Sequence, residues 1–411
     1  MSVVYTSDDL LIAVDHVAPI FQPVLWLDDL STAGYEALAR GPRDSPLEMP
    51  LDLFAAAREG GMVSTLESAV MRATLDTVMA TPWHHSVTLF ANAEPEAMLS
   101  QPTPETRASI DAAERLGHRV VLEITERALL GNPAALIATS DAARSRGWGI
   151  AMDDVGAEED SLTLLWVLQP DVVKLDMSLL HQPFDARAAR VSTTVREYCD
   201  RTGALMVCEG VETQAHESRA RALGADLVQG FLYARPGPRP EVVPAVDRPI
   251  RLRGVSFDDP LPFVDCLDPL DVDTLPGSQV EQLAAELLSI VSTHTDAAVV
   301  IASAPNVGVI PDGYFTLLSR LSPQAGLVAL IAPGVSTTPA TGVVGVDADA
   351  EEDLGAPWSI TVMAPTMAAA LLADGYPEDD ADALVHHRIL HDRLLVAHGV
   401  RTLLSKILTE S

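Results

Sequence analysis

The sequence predicts an α/β protein in which a closed (β/α)8 barrel is followed by a smaller mixed α/β domain. Three observations predict it. Short apolar runs alternate with longer helical patterns up to about residue 236, a proline-rich stretch then interrupts the alternation, and a different order of strands and helices follows. At 411 residues the chain is too long for one ordinary domain, whereas a barrel takes about 250 residues by itself and leaves room for a second domain. The stretch RPGPRPEVVPAVDRP (235–249) contains five prolines and no helical or strand period. It divides the chain into a barrel domain (1–236), a linker (237–250) and a mixed α/β domain (251–411). Because such a linker carries few contacts, the second domain is expected to fold alone.

Taken in order, VTLFAN (87–92), VVLEI (120–124), GIAMDD (149–154), DVVKLD (171–176), LMVCEG (205–210) and LVQG (227–230) read as strands. Pro104 to Leu116, Pro133 to Arg146, Ala186 to Arg201 and Thr213 to Leu223 read as the helices between them. Repeated strand-then-helix units of this size predict a parallel sheet. Past the linker, QVEQLAAELLSIV (279–291) has helical spacing, and AAVVIASA (297–304), GLVALIA (326–332) and SITVMAP (359–365) read as strands. TMAAALLADG reads as helical, and HHRILHDRLLVAHGVRTLLSKI (386–407) as a final amphipathic helix. This second part shows no nucleophile–base pair, glycine-rich phosphate loop or metal cluster, so catalysis is assigned to the barrel.

Composition narrows the function. Apolar residues make up 48% of the chain and charged residues 21%, which suits buried cores and argues against extensive disorder. The formal charge is −31, with 20 basic and 36 acidic residues in 1–250 and 7 basic and 22 acidic in 251–411. That field repels nucleic acid duplexes and anionic membrane surfaces. A small anionic ligand binds only where metal ions or placed arginines reverse the local sign. Cys199, Cys208 and Cys266 have no CxxC spacing and fit free thiols in a reducing compartment. The opening MSVVYTSDDLLIAVDH lacks a basic region and reads as no signal peptide. The longest uncharged stretch, Leu321 to Val346, holds Pro323, Pro333 and Pro339, so no membrane insertion is expected and the location is expected to be cytoplasmic. His84, His85, His386 and His387 read as surface histidines, and Trp148 and Trp166 as packing between barrel and helices.

The chemistry lies at the strand ends. Each strand finishes in a polar residue: Asn92, Glu123, Asp153 with Asp154, Lys174, Glu209 and Gln229. Strands ending at the surface explain one or two such positions, but six in series fit a closed barrel, whose C-terminal strand ends converge on one rim. Glu36, Glu123, Asp153, Asp154 and Glu209 would put five negative charges there, raising one another's pKa. Two divalent ions and Lys174 would balance the set. Oxygen ligands suit Mg²⁺ or Mn²⁺ better than zinc. Two such ions activate water for in-line attack on a phosphodiester.

YEALAR with Glu36, EITE (123–126), DDVG (153–156), KLD (174–176), CEGVET (208–213) and QGFLYARP (229–236) occur in that order. From about Phe21 to Pro236 the chain thereby resembles the EAL-domain family of cyclic di-GMP phosphodiesterases. The resemblance implies a TIM-like barrel, metal-dependent hydrolysis of cyclic di-GMP to linear pGpG, two Mg²⁺ or Mn²⁺ ions per site, and a homodimer. It implies that Glu36, Asn92, Glu123 and Asp153 hold one ion, that Asp154 with Asp153 holds the second, and that Glu209 and Gln229 complete the site. Lys174 would orient the attacking water, with Glu209 the general base or a base-side ligand. Gln22 and Arg40 would meet the ligand's backbone, and Glu126 would anchor the loop after Asp154.

Several residues depart from the family's usual pattern. Val155 replaces a Phe, and Ala157, Glu158, Glu159 and Asp160 replace glycine and small hydroxyl residues in a loop that normally orders the second metal and the dimer contact. Phe21 replaces a frequent Tyr, and Cys208 a frequent Ala. The altered loop keeps open a receptor that binds cyclic di-GMP and cleaves it weakly. Residues 265–407 resemble, on weaker motifs, the DICT domain, a sensory module whose signal is unknown here; a structural dimerisation domain is the alternative.

Overall fold

The computed structural model describes residues 12–93, 100–125, 133–157, 162–252, 273–294, 298–310, 312–323, 325–348, 358–365, 367–374 and 383–407. The chain forms two compact units. Unit 1 comprises Met1–Ala128, Thr139–Ala157 and Pro170–Val255, and unit 2 comprises Leu129–Ala138, Glu158–Gln169 and Ser256–Ser411.

A closed barrel is formed by β1 (Ala18–Trp26), β2 (Thr32–Arg40), β3 (Thr88–Asn92), β4 (Arg119–Thr125), β5 (Gly149–Val155), β6 (Val172–Leu175), β7 (Leu205–Cys208) and β8 (Leu227–Val228). Strands β2 to β8 run parallel, while β1 is antiparallel to both β2 and β8. The link from β1 to β2 is a tight turn through Leu30 at φ 59°, too short for the crossover that a parallel pair needs.

The six strands expected from the sequence all form, and β1 and β2 are additional. TAGYEALAR is built largely from helix formers, yet it lies between two strands, with Glu36 paired to Gln22 on one side and to Phe90 on the other. Gly34 permits that approach, because a Cβ there would sit 2.4 Å from the Thr88 carbonyl oxygen. Tertiary pairing overrides the local preference.

Among the described residues up to this point the helices are α1 (Pro50–Glu59), α2 (Val63–Met79), α3 (Pro104–Arg115), α4 (Pro133–Ser145), α5 (Leu164–Leu168), α6 (Ser178–His181), α7 (Ala186–Thr202) and α8 (Gln214–Leu223). Side-chain caps start α3, α7 and α8, with Thr103, Asp185 and Thr213 accepting from the backbone N–H of Thr106, Ala188 and His216.

Residues 237–250, read from the sequence as a linker, are built into unit 1. Phe21 N–H donates to the Gly237 carbonyl at 2.7 Å, Trp26 Nε1 to the Arg248 carbonyl at 3.0 Å, and His84 N–H to the Val243 carbonyl at 2.9 Å. Ile250 joins Val24, Trp26, Phe90, Val121, Ala151, Val172, Val207 and Leu227 in a fully buried cluster. Prolines favour extended backbone, and Val243 and Ile250 supply apolar anchors along it.

Unit 2 is centred on a seven-stranded sheet of order β12-β11-β10-β13-β14-β15-β9. Its strands are β9 (Asp273–Pro276), β10 (Val299–Ser303), β11 (Leu327–Ile331), β12 (Val344–Val346), β13 (Trp358–Met363), β14 (Ala368–Ala373) and β15 (Leu384–Leu390). Among the described residues, the helices α9 (Gly277–His294), α10 (Asp312–Leu321) and α11 (Arg393–Leu404) accompany them. Trp358, Ile360 and Val362 share one cluster with Val280, Leu288, Leu318 and Leu321, which packs α9 and α10 on one face. Helix α11 packs on β13, β14 and β10 and also on α5. Arg401 Nη1 donates to the Val167 carbonyl at 3.3 Å, and the Arg393 guanidinium lies 5.0 Å from the Trp166 ring.

Two expectations fail here. TMAAALLADG supplies strand β14, fully buried and paired to both β13 and β15. The expected final helix begins with strand β15, and only after Asp392 caps Leu395 N–H does α11 start. His387 is correspondingly buried at 6% exposure instead of lying at the surface. Among the described residues no helix is long and apolar enough to cross a membrane.

Candidate active site

The parallel strands place successive C-terminal ends on one rim. Asn92 on β3 is in register with Glu123 on β4, and Thr125 on β4 with Asp153 on β5. Lys174 on β6, Glu209 just after β7 and Gln229 just after β8 continue the ring. The antiparallel β1 closes it by setting Gln22 opposite Glu36 on β2.

Lys174 holds the centre. Its Nζ lies 2.7 Å from Glu123 Oε1, 2.7 Å from Glu209 Oε1, 3.2 Å from Asp153 Oδ1 and 3.7 Å from Glu36 Oε1. Only 1% of the lysine is exposed, so protein carboxylates and not water must answer its charge. Burial by itself would lower the lysine's pKa, but Asp153, Glu123, Glu209 and Glu36 outweigh it and hold the ammonium well above its usual range.

The carboxylates share one cation unequally. Burial, with the charges of Glu36 and Asp153, pushes Glu123 well above the usual carboxylate range against the pull of Lys174. Burial likewise raises Glu209, to about 8, with Asp153 and Glu36 adding and Lys174 opposing. Burial also acts on Glu36, but Lys174 and side-chain hydrogen bonds outweigh it and hold this group below its usual value. Those bonds come from Gln229 Nε2 at 2.6 Å and Asn92 Nδ2 at 3.3 Å. Gln229 Nε2 also donates to Gln22 Oε1 at 3.1 Å, and Gln22 Nε2 to the Ala234 carbonyl at 3.0 Å.

A metal fits this donor set. Asp153, Asp154 and Glu209 each offer an oxygen, all within 4.8 Å of one another. Gln229 Oε1 is buried with no hydrogen-bond partner. Carboxylates outnumber the single ammonium, and every donor beside it is an oxygen, the set that suits a hard divalent cation. Asp154 adopts φ 57°, a left-handed backbone that aspartate tolerates better than most residues, and its N–H donates to Asp153 Oδ1 at 3.0 Å.

The structure therefore brings together Gln22, Glu36, Asn92, Glu123, Asp153, Asp154, Lys174, Glu209 and Gln229. Arg40 lies further along β2, its Nη1 donating to the Ala39 carbonyl at 2.7 Å. Glu126 and the acids Glu158, Glu159 and Asp160 lie outside the described residues. Cys208 is fully buried, and burial pushes its thiol up to about 12, with Glu209 adding. Such a thiol is unreactive at neutral pH. One neighbour that motif reading passes over is Arg187, at the start of α7. Its Nη2 donates to the carbonyls of Gly156 and Ala157. A lone arginine near a helix start carries no motif by which the sequence could single it out.

Known proteins resemble the barrel part of the chain. The cyclic di-GMP phosphodiesterase RocR of Pseudomonas aeruginosa is 35% identical over 120 residues, covering 29% of this chain and 31% of that protein. The probable cyclic di-GMP phosphodiesterase PdeB of Escherichia coli is 28% identical over 226 residues, covering 53% of this chain and 42% of that protein. The solved PaMucR phosphodiesterase, in complex with c-di-GMP, is 22% identical with a TM-score of 0.49, over 56% of this chain and 96% of that one. The chain spans between 26% and 31% of the length of the first curated relatives it matches. The EAL domain profile matches residues 7–236, more than half of the chain, and this protein belongs to the EAL-domain family.

Proposed function

We propose that the barrel is a metal-dependent phosphodiesterase that hydrolyses cyclic di-GMP to linear pGpG. The observation that carries this reading is the buried Lys174 ringed by Glu36, Glu123, Asp153 and Glu209, with Asp154 beside them. The names of RocR and PdeB support the choice of substrate. Glu36, Asn92, Glu123 and Asp153 would hold one Mg²⁺ or Mn²⁺, and Asp153 and Asp154 a second, with Glu209 and Gln229 completing the site. Such ions lower the pKa of water and neutralise charge on phosphodiester oxygens.

The residues of the chain do the rest. Lys174 places a fixed positive charge where the attacking water and the phosphorane oxygens would lie, and the burial that keeps it dry strengthens that field. Glu209, its Oε1 2.7 Å from Lys174 Nζ, is the base-side carboxylate that would accept a proton from the attacking water, and the Lys174 ammonium favours its ionised form. Water's oxygen would join one phosphorus and give up a proton, the P–O3′ bond would break, and the departing O3′ would take a proton to become the 3′-hydroxyl of the linear dinucleotide. Gln22, Gln229 and Arg40 would meet the ligand's backbone. Glu126 would anchor the loop after Asp154. A cytoplasmic homodimer, and a sensory role for the DICT-like C-terminal part, belong to the same proposal.

The test is incubation of the purified chain with cyclic di-GMP and either Mg²⁺ or Mn²⁺, followed by chromatography for pGpG. The wild type should release pGpG, and Asp153→Ala should release none. A wild type that binds cyclic di-GMP tightly in Ca²⁺ yet makes no pGpG in either metal would leave a receptor, the reading favoured by Ala157 and the acids that follow it.

A further inference from the structure

Asp154 is the most exposed member of the carboxylate cluster and the one whose backbone is held in the left-handed region. Aspartate tolerates that region better than most residues but does not prefer it, so the turn that follows must keep it in place. That turn is short. Ala157 N–H returns to the Asp154 carbonyl at 3.0 Å, and Asp176 N–H holds the Val155 carbonyl at 3.1 Å. Gly156 takes φ 95°, and a Cβ on it would lie 3.0 Å from both Leu179 Cδ1 and Val191 Cγ1, so the turn is wedged against α6 and α7. Ala157 has no side-chain donor or acceptor with which to fix the turn itself.

Arg187 supplies what Ala157 lacks. Its Nη2 donates to the Gly156 carbonyl and, at 2.5 Å, to the Ala157 carbonyl, so one guanidinium pins two consecutive carbonyls of the turn. The arginine is half-buried in the first turn of α7, whose start is fixed by Asp185 capping Ala188 N–H at 2.8 Å. It is therefore mounted on a rigid element and reaches the turn from outside the carboxylate ring.

Resting on the metal-dependent reading above, we infer that Arg187 is a positioning residue for Asp154: by clamping the turn at Gly156 and Ala157 it sets the affinity of the cation that Asp154 holds. The ion held by Glu36, Asn92, Glu123 and Asp153 does not depend on it. Groups that orient a metal ligand from outside the coordination sphere typically change affinity about 10- to 100-fold when removed.

The experiment measures Mn²⁺ binding without nucleotide, by calorimetry and by the electron paramagnetic resonance signal of free Mn²⁺, on wild type, Arg187→Ala and Arg187→Lys. The wild type should bind two ions. Arg187→Ala should keep one at wild-type affinity and weaken the other about ten-fold or more. Arg187→Lys, which keeps a donor but not the fork, should fall between them. With cyclic di-GMP, Arg187→Ala should lower kcat at limiting Mn²⁺, recover it in excess Mn²⁺ and leave KM near wild type. Hydrogen exchange should quicken at Asp154 to Ala157 in metal-free Arg187→Ala. If that variant does not fold, Arg187→Lys carries the comparison. Equal affinity of both sites in wild type and either folded variant, or equal loss at both sites, overturns the role of Arg187 and leaves the phosphodiesterase reading intact. A wild type that binds no Mn²⁺ overturns both.

Discussion

At the scale of single residues, the site is a problem in sharing one buried cation among several buried anions. Removing it should be costly. Lys174→Ala leaves Glu123, Glu209, Asp153 and Glu36 facing one another, and breaking a buried pair in this way costs about 3–5 kcal/mol. Thermal unfolding of the metal-free variant should show that loss, and added Mn²⁺ should restore part of it. Under the proposed function the variant also keeps nucleotide binding and loses turnover. The pH dependence has a definite sign. Glu209 is held near 8 in the folded chain against an ordinary 4.5, so the folded state binds the proton more tightly than the unfolded chain. Its stabilising contribution is complete below about 4.5 and is lost as pH rises toward 8. Glu123, also raised, acts in the same direction. The metal-free protein should therefore melt at falling temperature from pH 5 to pH 8, and Glu209→Gln should flatten that slope. A melting temperature that climbs over the same range would contradict the assignment.

Elements show where local preference and tertiary demand part. Strand β14 is AAALLA, a run of good helix formers. It becomes a strand because β13 and β15 pair with it on both sides and every one of its residues is buried. Small alanine side chains suit that crowded position. Helix α11 starts where Asp392 Oδ1 accepts from Leu395 N–H at 2.9 Å, which separates it from β15. Asp392→Ala should destabilise the chain by about 1 kcal/mol, since an N-cap carboxylate satisfies an otherwise orphaned donor. Denaturant unfolding measures this, and an unchanged midpoint would mean that α11 is held by its packing alone.

For the whole molecule, the composition of unit 2 matters most. It includes Leu129–Ala138 and Glu158–Gln169, so a C-terminal fragment beginning near Ile250 lacks pieces of its own unit. Helix α5 lies in the second of those pieces. None of its residues is more than 6% exposed, and α11 packs on it through Arg401 to the Val167 carbonyl and Arg393 over Trp166. A barrel fragment ending at residue 250 should thus expose α5. The expected result is a red-shifted tryptophan emission, binding of a hydrophobic dye and a lower melting temperature than the full chain. A fragment with the melting temperature and emission of the full chain would show that α5 needs no cover from α11.

The sequence by itself determined the strand-and-helix rhythm from residue 87 to residue 230, the polar strand ends and the order of the motifs around Glu36, Glu123, Asp153, Lys174, Glu209 and Gln229. These are legible because buried parallel strands must be apolar along their length and can be polar only where they end. Only the tertiary structure decided the rest. It made TAGYEALAR and AAALLA strands, reversed β1, and seated Ile250 in the barrel's core cluster. It also brought Arg187 to the turn beyond Asp154. Each of these depends on partners remote in the chain, whose pairing and burial outweigh the preferences of the residues involved. The pKa order within the site has the same origin, because burial and neighbouring charge, not residue type, separate Glu36 from Glu123 and Glu209.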